Sequence, residues 1–174
     1  THCTSSAASD VYKRQSLGSD GDFQDRRFVD IINNDLANTI GNLLNRTTSM
    51  SRKWFNNQTP SKSENNNNNE ITKLVNNSVK NYLNYFDNYK IDKASNEILY
   101  LATNVNLYLN KKEPWSLIKE DKNIKEVNLI IYNVLEATRI IGNLIKPILP
   151  DFSKKILFQL GDIDILNKNW LVFD

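Results

Sequence analysis

Apolar residues recur with helical spacing along most of the chain. Between positions 24 and 55 they stand three, four or seven residues apart, at Phe28, Ile32, Leu36, Ile40, Leu43, Met50 and Trp54. Since this spacing collects them on one helix face, the sequence predicts an amphipathic helix of about 30 residues. Asp22 follows a turn at residues 20–21 and is positioned to cap a helix that begins near Gln24.

The rest of the chain predicts four further helices. Residues 56–69, with Pro60 and a run of five asparagines, interrupt the pattern and predict a loop. Helical spacing then covers residues 71–86, 91–108 and 124–145, with breaks near Tyr89 and at residues 117–121, and it stops at Pro147. Asp151 is positioned to cap a last short helix that Gly161 closes. No useful length alternates with period two, so the fold class is all-α, an antiparallel helix bundle.

Composition excludes several kinds of chemistry. The 174 residues include 22 Lys and Arg against 20 Asp and Glu, and His2 and Cys3 are the only histidine and cysteine. A disulfide framework, a Cys/His zinc site and a histidine-based catalytic triad are therefore excluded within this chain. With five glycines the chain has no Gly-rich phosphate loop. We predict no catalytic residue and no metal ligand.

The ends and the hydropathy add further expectations. Residues 1–15 are small, polar and aperiodic, and we expect a disordered tail that need not be native to the gene. No stretch of about 18 apolar residues is present, so we expect a cytoplasmic protein, with an organellar location left open, and no membrane partner. The abundant asparagines are interpreted as compositional bias, because most of them fall on polar faces where Lys, Gln or Glu would serve equally well.

Two features stand out from the core pattern. At about 100° per residue, Asp35, Asn42, Arg46 and Lys53 fall on one flank of the first predicted helix, where a solvated polar edge is the ordinary interpretation. Trp115, in the segment Glu113-Pro114-Trp115-Ser116, lies between two helices. It either fills a gap between them or presents a face on which an unpaired base stacks. Asn and Arg side chains suit hydrogen bonding to base edges.

Three separated segments carry a resemblance to a known family. They are residues 34–47 (NDLANTIGNLLNRT), 113–117 (EPWSL) and 145–150 (IKPILP), the last followed by Ser153, Ile156, Leu160 and Gly161. In order and spacing they resemble the first helix, the Ala-Pro-Trp segment and the Pro-Phe-Met-Pro stretch of the anticodon-binding domain of methionyl-tRNA synthetases.

The resemblance implies a class I synthetase that joins methionine to its tRNA with ATP and Mg²⁺. The His-Ile-Gly-His and Lys-Met-Ser-Lys-Ser motifs of that family are absent here, so this chain corresponds to the C-terminal part, without the catalytic half and without a cofactor of its own. Residues 16–23 then form the linker from the missing catalytic domain, and residues 24–174 the anticodon-binding domain. The implied partners are tRNA(Met), initiator tRNA included, and the catalytic domain of the same chain.

The resemblance also implies the anticodon-binding residues. Asn42, Arg46, Pro114 and Trp115 match the family's positions, with Asp35 and Lys53 as supporting candidates. At position 113 the usual Ala is replaced by Glu113, whose carboxylate would repel phosphate unless it turned toward Lys111 or Lys112.

Two alternatives remain open at this point. The first is the anticodon domain of a sibling synthetase for Ile, Val, Leu or Cys. The second is a purely structural or protein-binding helical bundle, which predicts that Trp115 is buried and that Asn42 and Arg46 point away from it. A separation of Trp115 and Arg46 by more than roughly 20 Å, beyond the reach of adjacent stacked bases, would favour this alternative.

Overall fold

A computed structural model describes residues 25–60 and 70–162, without the side chains of Arg27 and Phe28. All regular elements in these ranges are helical, which confirms the all-α prediction. They are α1 (Asp25–Ile31), a π-helical segment (Ile32–Gly41), α2 (Asn42–Phe55), α3 (Glu70–Asp87), α4 (Ile91–Lys112), α5 (Pro114–Leu117), a 3₁₀ turn (Asp121–Asn123), α6 (Ile124–Leu144) and α7 (Pro150–Gln159). The tail at 1–15, the linker at 16–23, the Asp22 cap and residues 61–69 of the loop lie outside the described residues.

The first predicted helix is continuous from α1 to α2, but its middle is wider than an α-helix. Ile31 and Gly41, at the two junctions, both keep right-handed helical dihedral angles. The backbone N–H of Asn42 bonds to the carbonyl of Ala37, five residues back, which is the π-helical pattern. A Cβ at Gly41 would lie 3.3 Å from the Leu36 carbonyl oxygen, so glycine keeps this wide turn uncrowded.

The helices α3, α4 and α6 form the antiparallel centre of the bundle. Lys111, at the end of α4, lies 3.4 Å from a carboxylate oxygen of Glu70 at the start of α3. Lys112 lies 3.9 Å from Glu126 near the start of α6, at the same end of the molecule. Most of the buried residues between these helices and the N-terminal helix are aliphatic, with Tyr82 as a buried aromatic residue among them. The aliphatic residues include Ile40, Leu43, Ile98, Leu101, Val105, Ile130, Val134 and Ile141.

The last helix ends as the sequence predicts but begins differently. Asp151 lies inside α7, because the helix starts at Pro150, whose fixed φ suits a first turn. The N-cap position is therefore occupied by Leu149, which has no side-chain capping group, and the prediction that Asp151 caps this helix is wrong. Gly161 has φ +81°. The N–H groups of Gly161 and Asp162 bond to the carbonyls of Phe158 and Leu157, which closes the helix with a Schellman motif.

A smaller apolar cluster lies at the other side of α6. Val127, Ile131 and Leu135 of α6 pack there against Trp54 and Phe55 at the end of α2. They also pack against Leu117, the last residue of α5, and against Ile118, which follows it. This cluster fixes the short α5 against the two long helices. No helix among the described residues is long and apolar enough to cross a membrane.

Candidate functional site

Arg46 and Trp115, which are 69 positions apart in sequence, meet on the surface of the bundle. The guanidinium carbon of Arg46 lies 5.5 Å from the centroid of the Trp115 ring, within cation–π range. Trp115 remains 39% exposed. The sequence pointed to Arg46 through its helix position and to Trp115 through its place between two helices. Their contact, with Trp115 partly exposed, argues against the alternative of a structural bundle, in which Trp115 is buried and Arg46 points away from it.

Two asparagines of α4 hold the Arg46 guanidinium in place. Its Nη2 donates to the Oδ1 of Asn110 at 2.8 Å, and its Nη1 donates to the Oδ1 of Asn106 at 3.5 Å. Asn106 is itself fixed, because its Nδ2 donates to the carbonyls of Thr39 at 3.2 Å and Ala102 at 3.1 Å. The carbonyl of Thr39 belongs to the π-helical segment. We call Arg46, Asn106, Asn110 and Trp115 the Arg–Trp cluster.

A tight turn between α4 and α5 presents Trp115. Glu113 adopts the left-handed conformation, with φ 43° and ψ 54°, and ends α4. Pro114 is buried in the first turn of α5, in agreement with the boundary that the sequence predicts. The carbonyl of Glu113 accepts the N–H of Ser116 at 2.8 Å. With Leu117 anchored in the apolar cluster on α6, the indole is held at the surface.

The other predicted site residues lie at different distances from the cluster. Asn42 is exposed one turn before Arg46 on the same helix face, and its side chain bonds to no other described residue. Lys53 is exposed near the end of α2, about 10 Å further along the helix axis. Asp35 lies in the π-helical segment, roughly 15 Å before Arg46, and lines an apolar groove with Ser95 and Ile148. The structure therefore does not bring Asp35 to the Arg–Trp cluster.

The lysines beside the turn are paired with other carboxylates. Lys111 contacts Glu70 and Lys112 contacts Glu126, so neither compensates the exposed carboxylate of Glu113. The backbone of Glu113 also helps to form the turn before Trp115, because its left-handed conformation reverses the chain direction there. In the part of the chain that the structure describes, no cation pairs with the Glu113 carboxylate, which lies two residues from the indole.

Sequence reasoning missed Asn106 and Asn110. They are one helical turn apart on α4, and Asn110 precedes Trp115 by five residues, so the spacing was visible. The interpretation of asparagine as an interchangeable surface residue hid it. For Asn106 that interpretation is wrong, because a Lys or Glu side chain could not both accept from a guanidinium and donate to two carbonyls.

The cluster can bind but holds no group for bond-making chemistry. It combines a flat aromatic face, a fixed cationic fork and the exposed amide of Asn42, which together suit a planar ligand with hydrogen-bonding edges. In the described part of the chain no group of three or more His, Cys, Asp or Glu residues could hold a metal ion.

Two family models match the chain. The first is described as the anticodon binding domain of methionyl tRNA ligase and covers residues 59–171, well over half of the chain. The second is described as class I tRNA synthetases (M) and covers residues 11–48. Together they span both halves of the Arg–Trp cluster, since Arg46 falls in the second match and Trp115 in the first.

Known proteins agree with these matches. The chain is 34% identical over 146 residues to a methionine–tRNA ligase of Caldanaerobacter subterraneus, covering 83% of this chain and 23% of that protein. A ligase of Listeria innocua is 36% identical over 156 residues, covering 88% and 24%. The apo crystal structure of Mycobacterium tuberculosis methionyl-tRNA synthetase matches with TM-score 0.73 and 28% identity, over 82% of this chain and 30% of that one. The chain thus spans about a quarter of the length of these ligases.

Proposed function

The chain belongs to the family of anticodon-binding domains of methionyl-tRNA ligases, and from this premise we propose that it recognises the CAU anticodon loop of methionine tRNA, initiator tRNA included. One observation carries the proposal: Arg46 lies 5.5 Å from the ring of the exposed Trp115. A stacking surface and a fork of hydrogen-bond donors beside it are what an unpaired base requires.

The proposed binding divides the work among four residues. The indole of Trp115 stacks on one anticodon base, and Pro114 fixes the backbone that carries it. The guanidinium N–H groups of Arg46 that Asn106 and Asn110 leave free donate to a base edge. Asn42, whose amide offers a donor and an acceptor together, bonds the edge of a neighbouring base. Lys53 is the supporting candidate for a phosphate of the same loop.

We propose that the domain acts within a longer ligase. The relatives are methionine–tRNA ligases about four times as long as the part that matches. In the proposed division of labour a class I catalytic domain of the same chain, in the cytoplasm, binds ATP and Mg²⁺ and activates methionine. The present domain holds the anticodon loop and contributes no catalytic group. Because it contacts a few bases through individual side chains, a net charge of only +2 is sufficient for this binding.

Replacing Trp115 with Ala in the full-length ligase tests the proposal. Loss of base stacking should weaken charging of CAU tRNA by ~1–3 kcal/mol, while methionine-dependent ATP–pyrophosphate exchange stays unchanged. Tyr89→Ala is the matched control, because Tyr89 is an exposed aromatic residue at the opposite end of α4, about 33 Å away along the helix. Unchanged tRNA charging by the Trp115→Ala enzyme would refute the role of Trp115.

A further inference from the structure

Glu113 is an ionisable residue at the edge of the Arg–Trp cluster that the proposed binding does not use. It ends α4 one turn after Asn110, which accepts from the Arg46 guanidinium at 2.8 Å, and it precedes Trp115 by two residues. Its side chain is exposed. The family pattern has Ala at this position, so the carboxylate is a feature of this chain and not of the fold.

The turn does not explain why this residue is a glutamate. Glu113 has φ 43° and ψ 54°, a left-handed conformation that Gly or Asn adopts with less strain. Its N–H bonds to the carbonyl of Leu109 at 3.2 Å, and its carbonyl accepts the N–H groups of Ser116 at 2.8 Å and Leu117 at 3.3 Å. These bonds involve only the backbone, and they hold the Glu113 Cα in place. The carboxylate is therefore presented from a fixed point.

The surrounding charges leave the carboxylate free to accept hydrogen bonds. Within residues 25–60 and 70–162 it forms no ion pair and no hydrogen bond of its own, because the two neighbouring lysines pair with carboxylates of other helices. The terminal nitrogens of Arg46 bond to neutral amide oxygens of α4. The cluster thus holds its cation with neutral acceptors, and the carboxylate of Glu113 keeps both oxygens for a ligand.

A carboxylate beside RNA distinguishes among the groups that it meets. Its two oxygens are hydrogen-bond acceptors only, so phosphates and the carbonyl oxygens of uracil repel it. The groups of a base that satisfy it are N–H donors, and the N4 amino group of cytosine is the donor that acidic side chains accept from in nucleic-acid recognition. Adenine carries the same kind of group at N6. In the sequence CAU, the cytosine and the adenine therefore offer a donor and the uracil edge offers a carbonyl in its place.

We propose that Glu113 is a specificity-determining residue of the anticodon site, whose carboxylate accepts an N–H from the exocyclic amino group of the cytosine or the adenine. The inference rests on the proposed function and deepens it. The indole of Trp115 stacks on any base, because every base has a π face, whereas the carboxylate rejects a base with a carbonyl oxygen at the same place. Stacking thus gives affinity, and Glu113 gives selectivity for a base with an amino group.

Anticodon stem-loops that lack a single amino group test the proposal. Pyrimidin-2-one in place of the cytosine, or purine in place of the adenine, removes the amino group and adds no carbonyl. The full-length wild-type ligase should bind one of these two stem-loops about tenfold more weakly than the CAU stem-loop, as expected for loss of a hydrogen bond to a charged group. The affected stem-loop identifies the base. Glu113→Ala should bind this stem-loop and the CAU stem-loop equally, and Glu113→Gln, which keeps one acceptor oxygen, should restore part of the difference.

Asp87→Ala is the matched control, because Asp87 carries an exposed carboxylate at the far end of α3, about 25 Å along that helix from the end beside Lys111. This variant should show the affinity ratios of the wild type.

The wild-type ratios in Glu113→Ala would overturn the proposal. This includes the case in which that variant binds every stem-loop more tightly, since the carboxylate would then only repel phosphate. If Trp115→Ala still lost affinity for the CAU stem-loop, the proposed function would stand without Glu113. Equal binding of CAU and of an unrelated anticodon by the wild-type ligase would refute the proposed function and the role of Glu113 together.

Discussion

The side chain of Arg46 is fixed on three sides before any ligand arrives. Asn106 and Asn110 accept from its two terminal nitrogens, and the Trp115 ring covers one face of the guanidinium. Because the planar fork matches two acceptors at once, a lysine cannot reproduce it. The proposed recognition therefore depends on the shape of the guanidinium as well as on its charge.

Arg46→Lys should accordingly weaken binding of a CAU anticodon stem-loop by ~1–3 kcal/mol while the melting temperature of the domain stays close to that of the wild type. Fluorescence anisotropy with a labelled stem-loop measures the affinity. Arg52→Lys is the control on the same helix, since Arg52 is exposed and lies away from Trp115. If Arg46→Lys bound as tightly as Arg52→Lys, the fork would have no part in recognition.

Asn106→Ala tests the positioning of Arg46. The variant removes the acceptor on Nη1 and the bonds to the carbonyls of Thr39 and Ala102, so we expect the free energy of unfolding to fall by about 1 kcal/mol and stem-loop binding to weaken several-fold. Asn104→Ala removes a comparable bond, to the carbonyl of Tyr100 on the same helix. It should leave stem-loop binding unchanged, and equal affinities for the two variants would contradict the positioning role.

At this scale the sequence identified the residues but not their contacts. Arg46 and Trp115 were visible from helix phase and from an aromatic residue at an element boundary, and the resemblance connected them. Asn106 was not visible, because its importance comes from three partners that only the packing of α4 against the N-terminal helix brings together. The Asp151 cap failed for a local reason, since Pro150 already begins the helix.

Among the elements, the helices were predictable and the π-helical segment was not. Apolar spacings of three and four fit an α-helix and a widened helix almost equally well over one or two turns. The widening depends on Gly41, which lacks a Cβ beside the Leu36 carbonyl, and on the packing around it. Asp35 lies in this segment and lines the apolar groove, whereas Asn42 and Lys53 are exposed on α2, so the predicted strip does not form one continuous edge.

The contact between α6 and α7 leaves no room for a larger residue at Gly142. A Cβ there would lie 3.0 Å from side-chain atoms of Ile156 and Leu157. Gly142→Val should therefore lower the free energy of unfolding by ~1–3 kcal/mol in chemical denaturation. Ser49→Val, at an exposed position of α2, controls for the effect of valine in a helix. If Gly142→Val had the same unfolding midpoint as the control, α7 would be able to shift away from α6 without loss of stability, and the tight contact would be refuted.

For the whole molecule, the buried Tyr82 links stability to pH. Burial raises the pKa of Tyr82 to about 12, and its hydroxyl has no hydrogen-bond partner among the described residues. Above pH 10 the unfolded chain releases this proton while the folded chain keeps it, so rising pH favours unfolding. Tyr82→Phe removes this contribution. At pH 11 the variant should retain about 1 kcal/mol more of its neutral-pH stability than the wild type in urea denaturation, and parallel pH profiles would contradict the buried, unpaired hydroxyl.

At the scale of the whole protein, sequence patterns led to the right class and family, whereas the groove on the N-terminal helix needed coordinates. The spacing assigned Ile32 and Leu36 to the core face, which is correct for the helix phase. Ile32 is nevertheless 39% exposed, because the opposite wall at Ile148 and Leu149 stands away from it. The periodicity of apolar residues identifies the apolar face of a helix, but it does not show how closely the other helices of the domain pack against that face.

The most direct test of the central claim is the affinity of this domain for an anticodon stem-loop with CAU against the same stem-loop with each anticodon base changed in turn. Specific stacking and base-edge bonds predict that each change weakens binding by ~1–3 kcal/mol, and that Trp115→Ala removes most of this preference. Equal affinities for all the stem-loops in the wild-type domain would contradict the account.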